Sequence, residues 1–158
     1  MSSGISPRYL SWIAAPLAFA ASTTAAADKV KVGDLIDVTF GTINNLSVDN
    51  VSAQNICAHS QSDRYSVTAT GSGSNNSFAL SAGSASLAYE VQWAGMAGQT
   101  TGTPMAAGVA SGTFTAVSNQ SCNGGATASL IIVLRATQLQ SATALTYSGT
   151  LSILLAPL

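Results

Sequence analysis

Leu87, Tyr89, Val91 and Trp93 alternate with Ala88, Glu90 and Gln92. A period of two puts the large apolar set on one face of an extended strand, whereas a helix would scatter it around the axis. The same period recurs at Tyr65, Val67 and Ala69, and again at Ala128, Leu130, Ile132 and Leu134. In the latter stretch Ile131 and Val133 make the second face apolar too, which predicts a strand buried on both sides. Near the end Leu151, Ile153 and Leu155 share a face, opposite Thr150, Ser152 and Leu154. That terminal strand is apolar enough to be central in a sheet, with Pro157 stopping its pairing. Ile36, Val38 and Phe40 alternate with Asp37 and Thr39 and predict the first strand; residues 46–58 predict a weaker second one that ends at Cys57. Phe78 with Leu80, and residues 113–117, add short strands.

Turn signals separate these runs. Asn44-Asn45, the polar HSQSD at residues 59–63, a flexible GSGSNNS hairpin connection at 71–77, and Ala82-Gly83-Ser84 all read as reversals. Residues 94–112 form a long Gly- and Thr-rich excursion, 118–125 a turn cluster, and 136–142 a brief helical turn. No 3.6-residue stripe and no fixed-period repeat occurs beyond the first 27 residues. The expectation is an all-β chain: a two-sheet antiparallel sandwich of about seven or eight strands.

Charge narrows the function. Only 7% of the 158 residues are charged and the formal net charge is -1, which excludes a basic nucleic-acid footprint. Residues 1–27 read as a secretory signal peptide: Arg8 supplies the positive start, WIAAPLAFAA at 12–21 the apolar core, and Ala25 with Ala27 the small residues of a cleavage site. The core is too short to span a bilayer, and every later apolar run is broken by polar residues, so no transmembrane segment is expected. The remaining domain, residues 28–158, has four basic and six acidic residues and is expected to be soluble and exported. Two cysteines in an exported chain predict one disulfide, Cys57–Cys122. Closing so long a loop stabilises by about 4 kcal/mol in the chain-entropy account.

Catalytic and metal patterns are missing. His59 with Asp49 or Asp63 and a serine lacks a nucleophile elbow, and a surface histidine in a polar turn is the simpler reading. Two distant cysteines and one histidine do not make a zinc site. Asp34 and Asp37 would point to opposite faces of a strand, which suits neither paired-carboxylate catalysis nor calcium. Gly71 and Gly73 lie in a Ser-rich connection and cradle no phosphate. Asn45, Asn50, Asn75 and Asn119 begin N-x-S patterns that matter only in a eukaryotic secretory pathway. Tyr89 and Trp93 share a face with Leu87 and Val91 and read as core. No enzyme, cofactor or metal is expected.

The order of several motifs resembles the spore coat protein U domain family, which includes subunits of archaic (Csu-type) chaperone–usher pili. They are VTFGTI at residues 38–43, the strand ending in Cys57, YSVTATGSG at 65–73, FALSAGSASLAYEVQW at 78–93, SCNGGATASLIIVL at 121–134 and the closing LTYSGTLSILLAPL. The resemblance implies an immunoglobulin-like, pilin-like sandwich lacking one strand. Its hydrophobic groove would be filled first by a periplasmic chaperone and then, after an outer-membrane usher, by a neighbouring subunit. Leu151, Ile153 and Leu155 are the residues expected to line or flank that groove. Only DKVKVG, residues 28–33, precedes the first expected strand, so the chain is expected to accept a strand and not to donate one. The implied role is a secreted structural subunit that passes through the periplasm to the cell surface or fimbrium. The alternatives are a pilus-associated adhesin that binds through residues 94–112, and a self-complete spore-coat-like surface protein.

Overall fold

The structure, a computed structural model, describes residues 28–117 and 119–158; the expected signal peptide lies outside the described residues. Among the described residues ten strands carry the fold: β1 Val30–Gly33, β2 Asn50–Ser60, β3 Arg64–Gly71, β4 Ala79–Ala82, β5 Ala85–Ala88, β6 Glu90–Ala94, β7 Thr103–Pro104, β8 Phe114–Thr115, β9 Ala128–Leu134 and β10 Leu151–Pro157. One α-helix, α1 Ala136–Ser141, occupies the stretch read as a helical turn. The strands form a five-stranded sheet in the order β1-β2-β9-β6-β7, a three-stranded sheet β10-β3-β8, and the hairpin β4-β5. Every ladder between these strands is antiparallel. The all-β, sandwich-like fold expected from the alternation is therefore observed.

The core is built from the alternating residues. Ile56 and Ala58 of β2, Val91 and Trp93 of β6, and Leu130, Ile132 and Leu134 of β9 pack with Tyr65, Val67 and Ala69 of β3 and Leu155 of β10. All seven residues of β9 are buried, as the double apolar face requires. Val91 pairs with Ile132 and Trp93 with Leu130, so these residues are cross-strand neighbours in one sheet. The layer opposite them is β3. Trp93 Nε1 donates to Tyr65 Oη at 3.1 Å, and the two rings meet edge to face at 6.1 Å. Beneath the outer face of β2 the disulfide joins Cys57 to Cys122 with Cα atoms 5.8 Å apart, a separation that fits an unforced bridge.

Several local expectations are corrected. The Leu87–Trp93 run is two strands: Leu87 belongs to β5 in the β4-β5 hairpin, and β6 starts at Glu90 beside β9. Tyr89 is the switch between sheets, its N–H donating to Phe78 O at 3.0 Å. Residues 71–77 likewise carry the chain from one sheet to another and do not close a hairpin, because β3 pairs with β10 and β8. The close contact of Gly71 with the Ser77 backbone leaves no room for a side chain there. Among the described residues the strand β10 is an edge strand paired only with β3, from Leu151↔Gly71 to Pro157↔Tyr65. Its outer-face Leu154 is exposed. The expected strand at residues 36–40 is not a strand, so Asp34 and Asp37 are not strand residues either. Instead residues 30–33 of the DKVKVG stretch form the first strand, with Val30 and Val32 packed on the core.

Candidate functional site

Asp34 adopts φ 64, a left-handed conformation that Asp tolerates better than most residues. This turn diverts the chain from β2 just where β1 ends. Residues 35–46 then run without strand pairing, yet Val38, Phe40 and Ile43 still pack against the core. On the other side of the same opening, residues 142–150 lead from α1 into β10. Between these two segments lies an open groove of about 1460 Å³. Leu87, Tyr89, Leu130, Ile132 and Leu134 line it from the hairpin and the large sheet, and Leu151 and Ile153 from β10. Among the described residues Asp37 is its single charged lining residue.

Two strand edges adjoin the opening without a partner strand among the described residues. β10 pairs along one edge only. On β2, Asn50–Ile56 pair with β9, while β1 covers just Cys57–Ser60 on the opposite edge. Unpaired backbone N–H and C=O groups beside an apolar trough are what a further extended chain would satisfy. The far end of the groove is closed by the loop before β10: Ser81 and Ser148 exchange backbone hydrogen bonds of 2.8 and 3.0 Å, and Thr150 N donates to Ser72 Oγ at 2.9 Å.

Of the three residues expected at the groove, Leu151 and Ile153 line it. Leu155 flanks it two residues further along β10, buried in the core, because the groove is open only along the first half of that strand. Gln54 went unnoticed in the sequence. Its amide lines the groove and binds residue 36 at both backbone groups: Ile36 N–H donates to Oε1 at 3.3 Å, and Nε2 donates to Ile36 O at 2.6 Å. The available signal was a lone amide in phase with Ile56 and Ala58, a polar residue at a core-facing position.

His59 is not the surface residue expected. It is buried in β2 beneath Val117 and residues 119–127, and its Nδ1–H donates to Val117 O at 2.8 Å while Nε2 has no partner among the described residues. The same carbonyl accepts Ser60 N–H at 3.4 Å, and Thr127 Oγ1 bridges the backbone of Ala58 at 2.9 Å in both directions. With the disulfide, these contacts strap Val117, Cys122 and Thr127 to β2. Among the described residues no group of three His, Cys, Asp or Glu side chains could hold a metal.

At the outer end of β9, Arg135 grips Glu90 through Nε at 2.8 Å and Nη2 at 2.5 Å, and Asp49 through Nη1 at 2.8 Å. Asp49 Oδ1 also accepts Ala136 N–H at 2.8 Å, capping α1. The Ala136 N–H and then Arg135 hold the Asp49 carboxyl below its ordinary range. The hydrogen bond from Arg135 does the same for Glu90, and both partners raise the guanidinium. The cluster joins the start of β2, β6 and α1, and serves as a clamp.

No protein-family model matches the chain, and no curated protein matches it in sequence. No helix among the described residues is long and apolar enough to cross a membrane.

Proposed function

We propose that this protein is an exported structural subunit of an archaic chaperone–usher pilus or related surface assembly, and that it accepts an extended strand from another chain. The observation that carries the reading is the apolar groove bordered by the unpaired edge of β10. An inserted strand gains backbone hydrogen bonds from the edge and seats alternate apolar side chains in the trough, the physics of strand addition. The motif order given above supports the same reading. The partners proposed are a periplasmic chaperone that fills the groove in transit, an outer-membrane usher, and a neighbouring subunit at the cell surface.

The test is production in a bacterial periplasm with and without a strand-donating chaperone. Capture by the chaperone is expected, and Ile153→Asp should abolish it by placing a charge in the apolar strip, at a cost of several kcal/mol. Residues 30–33 are committed to β1, so the subunit alone is expected to form no fibres. A folded, soluble monomer made without any chaperone would support the self-complete sandwich instead.

A further inference from the structure

The β1-β2 ladder runs from Val30↔Ser60 to Gly33↔Cys57. Continued in the same register, it would set Ile36 opposite Gln54. The chain does not continue, because Asp34 turns away at φ 64. Even so, Ile36 remains tied to Gln54, through the side-chain amide and not the backbone. The Gln54 amide therefore spans a gap that a backbone ladder would otherwise close. Three further observations bear on that gap. Among the described residues, the edge of Asn50–Ile56 facing it has no strand. Residues 36–40 keep a strand-like alternation, with Val38 and Phe40 in phase with Val30 and Val32 and packed on the same core. Ile36, in the same phase, is 73% exposed, an unusual position for a residue whose phase-mates are half-buried.

The geometry points to a closing element: residues 35–40 are a displaceable wall of the groove that zips onto the vacant edge of β2, extending β1 to Phe40. Asp34 is its hinge and Gln54 the catch that holds the open form close to register. Closing needs Asp34 to move from the left-handed to the extended region. It pairs backbone groups of both segments and brings Ile36 onto the core face. A strand seated in the groove favours closure, because it replaces the solvent that now solvates the wall's backbone and gives Ile36 an apolar neighbour. This coupling rests on the function proposed above; the closure itself does not.

The experiment reads amide hydrogen exchange across residues 35–40 by NMR. Asp34→Val disfavours positive φ at the hinge and should slow alternate amides of the segment by about tenfold or more. Asp34→Gly permits both forms and should leave exchange near that of the unaltered protein. An Asp34→Val protein that folds with its disulfide intact but exchanges as fast as the unaltered one overturns the closure. The second arm uses the unaltered protein and a synthetic peptide of alternating valine and threonine as groove occupant. Slowed exchange in residues 35–40 on binding supports the coupling, and binding without any slowing overturns it. A peptide that does not bind counts against the proposed function, while the Asp34 variants still decide the closure.

Discussion

Tyr65 and Trp93 show what one polar contact does inside an apolar core. Both residues are 1% exposed or less, and the indole N–H has the phenol oxygen as its single partner. Tyr65→Phe keeps the ring packing but strands a buried donor, which costs about 1–3 kcal/mol. Urea denaturation followed by Trp93 fluorescence should show that loss, and an unchanged midpoint would mean water reaches the indole. Leu130 is tested by shortening. It is 4% exposed and flanked by Trp93, so Leu130→Ala should cost about 2–5 kcal/mol in the same assay. The Cys57–Cys122 bridge belongs at this scale too. Replacing both cysteines with alanine removes a constraint worth about 4 kcal/mol in the chain-entropy account, measurable as a lowered melting temperature.

At the scale of the element, the Arg135 clamp makes a pH prediction. Asp49 and Glu90 have folded pKa values depressed by their hydrogen bonds. A depressed carboxyl adds stability above its ordinary range and loses it as pH falls through the folded value. The junction of β2, β6 and α1 should therefore loosen in acid and not in mild alkali, and salt should weaken it, since the groups are exposed. Arg135→Gln should flatten the acid limb of a stability–pH curve measured by thermal melting; an unaltered limb would assign acid sensitivity elsewhere.

The same scale shows how far the sequence could be read. Alternation located β3, β6, β9 and β10, because their periodicity matches a sheet with one or two buried faces. It failed at residues 36–40, where the pattern is equally good but a positive φ at Asp34 withholds the partner edge. It also placed β10 centrally, since apolar content reports burial of a face and says nothing of which edges are paired. The shared face of Leu151, Ile153 and Leu155 was legible from phase, whereas their place at a groove was implied by the family resemblance alone. Phase cannot tell where along a strand an opening ends, so it did not separate the lining Leu151 and Ile153 from the flanking Leu155. His59 was misjudged from its polar neighbours in sequence: Val117, which covers it, is distant in the chain.

For the whole molecule, the open groove makes a solubility prediction. An apolar trough beside bare strand edges invites pairing between copies. The isolated protein should bind the dye ANS and self-associate as concentration rises, both effects falling when the alternating peptide is present. A monomer that binds no dye at high concentration would mean the trough closes on its own.

The ladder between β3 and β10 sets the order in which this chain can fold. Of the described strands β3 is among the first to leave a ribosome, and its partner β10 follows all the others in chain order. In between, the large sheet has all of its strands and the disulfide has both of its cysteines. There is thus an interval in which β3 lacks β10 and much of the core has only one layer. Pairings so distant in sequence form slowly, since the intervening loop must close first. A helper that supplies a strand would act most usefully in that interval, at birth, before the chain has met any neighbour.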